Sequence, residues 1–237
     1  SHAIDNNKSS YNISITPIFG GKISTSIKVL IIIGNQRDTL ENEKDKKHIE
    51  NVLKLIKKFK ENDVPNENIT VLVKDKVTPT TILKNLHLVS LSCSDSDVIF
   101  IYLAGIGNKQ ERDIFEGHIK KDELSSQIKT EESKSKEFYL STNNGNITSS
   151  IIFDGLKNSK ASNIYFAVNS KHSCQIISDY INFEKTKLES NCEFLTYTES
   201  FYNEDFSMDF ITMLNENLIK KYNIVTHFNE IGNNLSS

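Results

Sequence analysis

The sequence predicts an α/β fold, a single domain on a central, mainly parallel sheet of about six strands with helices on both faces. Three observations carry that expectation. Two apolar runs, Lys28–Ile33 (KVLIII) and Asp97–Ala104 (DVIFIYLA), have the continuous character of strands buried on both faces. Helical periodicity alternates with such runs, and an order of strand, helix, strand, helix, strand demands right-handed crossovers and parallel pairing. The 237 residues, 37% hydrophobic and 25% charged, suffice for a packed core, and neither a linker nor an internal repeat divides them.

The elements follow in chain order. Ser1-His2-Ala3, with no Met, reads as the scar of a removed tag, and residues 1–15, rich in Ser and Asn, as a flexible tail or a loosely held first strand. The domain proper is expected over 16–237. Lys28–Ile33 is the first main strand, closed by Gly34. Ile49, Val52, Leu53, Ile56 and Phe59 trace one helix face. Ile69–Val73 is the second strand. Thr78-Pro79 is an N-cap followed by proline at the first helical position, with Ile82, Leu83 and Leu86 on one side. Asp97–Ala104 is the third strand. Residues 108–137 are rich in Lys, Glu and Ser and predict a long, exposed charged loop. Phe138–Leu140 is a short strand, Asn143–Asn146 a turn, and Ile147–Leu156 a helix. Ile164–Val168 is the fourth strand, with a helix starting near Cys174. Glu193–Thr198 is the fifth. A last helix spans Asp205–Tyr222, with Phe206, Phe210, Met213, Leu214 and Leu218 on one side.

Composition narrows the function classes. Lys+Arg 28 against Asp+Glu 31 leaves a formal charge of −3, which disfavours a nucleic-acid binder driven by bulk charge. No apolar run reaches the roughly 18 residues a membrane span needs, Val29–Ile33 having the length of a buried strand. Cys93, Cys174 and Cys192 form neither a CxxC pair nor a disulfide framework, so no metal site is expected, and a reducing, cytoplasmic setting is the simpler reading. The first strand is followed by Gly34-Asn-Gln-Arg-Asp38, not by a G-x-G-x-x-G fingerprint, and no Walker loop is present, so no cofactor is expected.

In an open α/β sheet, ligands sit beyond the carboxyl ends of the strands. Two loops occupy that place, Gly105–Asn108 and Asn169–Cys174. A strand ending in YLAG-x-G, then about sixty residues later a strand ending Asn169-Ser170-Lys171-His172-Ser173, resembles the caspase and metacaspase family of cysteine peptidases. The resemblance runs from about Lys28 to Leu218 and implies a three-layer sandwich. In that family the first loop reads S-G-H-G, its His the general base. The second reads D-x-C-H-S-G, its Cys the nucleophile. Ala104-Gly105-Ile106-Gly107 and Asn169–Ser173 match both frames without gaps.

The departures fall on the chemistry. Ile106 stands at the base position and Lys171 at the nucleophile position. The family pair works because an imidazole accepts a proton and activates a thiol. An aliphatic side chain does neither, and a primary amine in its ordinary protonated state is no nucleophile. Asn169 replaces the aspartate that, in metacaspases, helps recognise a basic substrate side chain. The resemblance therefore implies a catalytically inactive, peptidase-like domain that works through protein interaction, scaffolding or regulation, with a protein partner such as an active caspase-like relative. Gly105, Gly107, Asn169 and Ser170 are then remnants of a substrate groove. Two alternatives stand beside it. One is an active endopeptidase with its nucleophile displaced to Cys174, at the start of a helix that would favour thiolate, with His172 or His118 as base. The other is a module that binds peptides without cleaving them.

Overall fold

The computed structural model describes residues 3–5, 27–34, 43–111, 136–184, 188–198 and 205–217. In chain order the elements are β1 (Ala3–Asp5), β2 (Ile27–Ile33), α1 (Glu43–Glu61), β3 (Ile69–Leu72), α2 (Pro79–Ser92), β4 (Val98–Ala104), β5 (Gly107–Glu111), β6 (Lys136–Thr142), β7 (Gly145–Thr148), α3 (Ser149–Leu156), β8 (Asn163–Asn169), α4 (Gln175–Glu184), β9 (Asn191–Thr198) and α5 (Met208–Asn217).

The main sheet has the order β1-β9-β8-β4-β2-β3. Its parallel part holds five strands, β9, β8, β4, β2 and β3, against the expected six or so. The remaining position is taken by the three-residue β1, which runs antiparallel to β9. Residues 3–5 thus form an edge strand, and residues 6–15 lie outside the described residues.

The central strands are apolar throughout because both faces are covered. Val29, Ile31, Phe100 and Tyr102 join Val52, Leu55 and Phe59 of α1 and Phe210, Ile211 and Leu214 of α5 in one core. Leu30, Ile32, Ile99 and Ile101 join Ile82 and Leu86 of α2, Phe153 of α3 and Ile176 of α4 in the other. Side chains alternate across the sheet, so successive residues feed opposite cores. α1 is longer than its apolar face and carries Glu43 and Asp45 in its first turn and Lys58 and Lys60 in its last, matching the helix dipole. Thr78 caps α2 as expected, its hydroxyl accepting from the Thr81 amide at 3.1 Å. No helix among the described residues is long and apolar enough to cross a membrane.

Three expectations need correction. A second sheet, β5-β6-β7, takes residues 108–111 and 136–137 from the predicted loop. Its polar strands are fixed by pairing with β6, Asn108 opposite Tyr139 and Lys109 opposite Phe138, which no local pattern reveals. Residues 112–135, His118 among them, lie outside the described residues. The segment read as one helix from Ile147 begins instead as a strand. Asn144 and Gly145, at φ 65° and 122°, turn the chain so that Leu140 faces Ile147, and the helix starts only where Thr148 accepts from the Ile151 amide at 3.3 Å. α5 starts at Met208, not Asp205, because Ser207 caps it by accepting from the Phe210 amide at 3.2 Å. Leu218 and the rest of the predicted helix lie outside the described residues.

Candidate functional site at the tips of β4 and β8

β4 and β8 are direct neighbours, in register from Val98 opposite Asn163 to Ala104 opposite Asn169. The two loops singled out in the sequence therefore leave the same end of the sheet side by side. The Gly105 amide donates to the Asn169 carbonyl at 3.3 Å. Gly107 lies against the second loop so closely that a Cβ there would meet the Lys171 carbonyl oxygen at 2.4 Å and Ser170 Oγ at 2.6 Å. Gly105 has φ 139°, a conformation that disfavours a side chain, and a Cβ on it would stand 3.0 Å from Gly34.

Each position of the family frames has its own surroundings. Ile106 is half-buried, and its carbonyl accepts from the Ser141 amide of β6 at 2.9 Å. Lys171 is half-buried, and its amide donates to the Asp205 carbonyl at 3.1 Å. Ser170 is fully buried, its hydroxyl donating to the Lys171 carbonyl at 3.2 Å. His172 is exposed and adopts φ 57°. Ser173 is fully buried and hydrogen-bonds the Tyr197 carbonyl. Cys174 is half-buried, one residue ahead of α4. Cys93 and Cys192 are buried, and burial, reinforced by Asp97, pushes the Cys93 thiol up to about 11, which suits an inert packing residue.

Asn169, read from sequence as a groove remnant, is fully buried and turned inward. Its Nδ2 donates to Tyr102 Oη at 3.0 Å and to the Ser207 carbonyl at 2.9 Å, while its Oδ1 accepts from the Ser207 amide at 2.7 Å. Tyr102 Oη in turn lies 2.7 Å from Nε2 of His48, whose ring stacks on Phe206 at 4.4 Å. Burial raises the Tyr102 hydroxyl well above its ordinary range, so it stays a neutral donor and acceptor. This network ties β4, β8, α1 and the start of α5 together beneath the two loops. Sequence reasoning missed it, although His48 shares the helical stripe of Val52, Leu55 and Phe59 and was the one readable signal.

The small sheet closes the same region from the side. A Cβ on Gly34 would meet Leu140 Cδ2 and the Ser141 carbonyl at 2.9 Å, and one on Gly107 would meet Phe138 at 2.9 Å. Buried Asp179 of α4 holds this sheet, accepting from the Phe138 amide at 2.8 Å, Ser149 Oγ at 2.5 Å and Gln175 Nε2 at 2.9 Å. Glu137, also buried, accepts from Ser150 Oγ at 2.5 Å. These carboxylates are engaged in holding the second sheet to α3 and α4. A hollow of about 330 Å³ lies elsewhere, between α1 and α5, lined by Lys54, Lys58, Glu61, Thr212 and Glu216.

Chemically, the tips offer no imidazole–thiol pair in the family frames. Ile106 and Lys171 fill the two positions, and the asparagine at the third is committed to the interior. Among the described residues, no cluster of three or more His, Cys, Asp or Glu could hold a metal ion. No protein-family model matches the chain, and no curated protein matches it either.

Proposed function

We propose that the chain is a catalytically inactive caspase/metacaspase-like domain, a pseudopeptidase that acts through protein interaction. The observation that carries the reading is the juxtaposition of Gly105-Ile106-Gly107 and Asn169-Ser170-Lys171 at the carboxyl ends of neighbouring parallel strands, where a base and a nucleophile would have to meet. General-base catalysis needs donor and acceptor within hydrogen-bond reach, and neither side chain supplies the chemistry. The inward turn of Asn169 supports the same reading, since a residue with three internal hydrogen bonds is not offered to a ligand.

One observation favours a second reading. Cys174 is a free, half-buried cysteine one residue ahead of the ten-residue α4, on the loop that leaves β8. A nucleophile there would lie three residues beyond the family position, where oxyanion donors aimed at residue 171 would miss it. The test is labelling with peptidyl acyloxymethyl ketones bearing Arg, Lys or Asp. The pseudopeptidase reading expects no label on Cys174. Stoichiometric label that free peptide blocks would favour the displaced nucleophile, and saturable binding of uncleaved peptides would favour a binding module.

A further inference from the structure

β3 ends the main sheet, pairing with β2 on one side and with no strand on the other among the described residues. Natural edge strands carry charges, prolines or bulges that block further pairing. Ile69-Thr70-Val71-Leu72 has no charge and no proline. Short 3-10 turns, Asn66–Asn68 and Lys74–Lys76, bracket it.

α1 widens this edge into a patch. One flank of α1 faces α5, because Asn215 Nδ2 donates to the Asn51 carbonyl at 2.8 Å. At 3.6 residues per turn, Ile49, Leu53 and Ile56 lie on the opposite flank. The β2-α1-β3 crossover lays that flank over β3. Ile49 and Ile56, with Ile69, Val71 and Val73, are only partly buried where they pack on the core, and Leu53 is 59% exposed.

We propose that this edge is a self-association surface. A second copy sets its own β3 antiparallel to this one, about a two-fold axis normal to the sheet. That axis keeps the α1 layers of both copies on the same side, so their apolar flanks meet above the joined strands. Charge selects the direction. Exposed Glu67 stands at the amino end of β3, and exposed Lys74, Asp75 and Lys76 at its carboxyl end. Antiparallel pairing brings the acidic end of each copy to the net-basic end of the other, twice, whereas parallel pairing would oppose like ends. Four strand residues and a helix flank make a small interface, so the dimer is weak, with a dissociation constant on the order of tens of micromolar. The proposal is independent of the peptidase reading.

Sedimentation velocity of the 237-residue chain over about 1 to 300 µM tests it. The expected result is a reversible shift from monomer to dimer. Leu53→Asp, a change at an exposed position that leaves the core intact, should raise the dissociation constant tenfold or more. Glu67→Lys should also weaken the dimer, and adding Lys74→Glu should restore it. A wild-type chain that stays monomeric throughout, or a dimer indifferent to Leu53→Asp and Glu67→Lys, overturns the proposal.

Discussion

Asn169 and Glu193 are buried polar residues on the same face of the same sheet, and they are opposite in kind. Residues facing each other across paired strands share a face, so Glu193, opposite Tyr165, points to the side that Tyr165, Ala167 and Asn169 share. Asn169, at the carboxyl end, has its amide nitrogen and oxygen both engaged. Glu193, toward the amino end, is 3% exposed, and among the described residues no hydrogen-bond partner reaches its Oε2. Burial pushes its carboxyl up to about 8. The polar group at the carboxyl end of the sheet is a structural fastening, while a buried acid with one unbonded oxygen sits at the end remote from the tips.

The largest effect expected from breaking this contrast is at Asn169. Asn169→Leu strands both Ser207 backbone groups without their partner, each worth about 1–3 kcal/mol when buried, and leaves Tyr102 Oη with His48 alone. The sum should be about 4 kcal/mol of stability, read as a lowered urea midpoint. Unchanged stability would mean the network is dispensable.

Glu193 should behave with the opposite sign. Its folded pKa of about 8 lies above the ordinary 4.5, so between those values the folded protein holds more protons than the unfolded chain. Stability from this group is fully present below about 4.5, falls as pH rises toward 8, and stays low above it. Glu193→Gln removes the dependence and should be the more stable protein at pH 9 by about 3 kcal/mol. Parallel pH–stability curves for the two proteins would show that Glu193 ionises normally.

The close packing of the tips predicts a smaller loss. Gly107→Ala forces a Cβ into the Lys171 carbonyl and Ser170 hydroxyl, and the backbone shift should cost about 2 kcal/mol, measured by thermal unfolding. A neutral outcome would mean the second loop gives way freely. The smallest effect on stability belongs to Ile106→His with Lys171→Cys, since both positions are half-buried. That double variant should fold and still turn over peptides poorly, because a dyad without preorganised oxyanion donors and substrate contacts lacks several kcal/mol of barrier lowering. Robust cleavage would reveal an intact groove and shift the reading toward a peptide-binding module.

The strands were legible where composition alone decides them. Ile27–Ile33 and Val98–Ala104 are apolar because both faces are covered, and that signal survives without any knowledge of neighbours. The frames after β4 and β8 were legible as sequence, and the register of those strands brings them together. Other features depend on contacts distant along the chain. β5 is Gly-Asn-Lys-Gln-Glu, a strand only because β6 lies beside it. The inward turn of Asn169 needs Ser207, 38 residues away, and reads locally as one more polar residue at a strand end. Glu193 looks from sequence like the polar member of an alternating strand, yet β9 is buried on both faces from Cys192 to Tyr197.

The most direct measurement is hydrolysis of Arg-, Lys- and Asp-directed fluorogenic peptides by the wild-type chain, with and without calcium, beside Cys174→Ala. With Ile106 and Lys171 at the tips of β4 and β8, the expected result is no turnover above that of the Cys174→Ala control under any condition. Turnover that disappears when Cys174 becomes Ala would contradict the inactive reading and place the nucleophile at the start of α4.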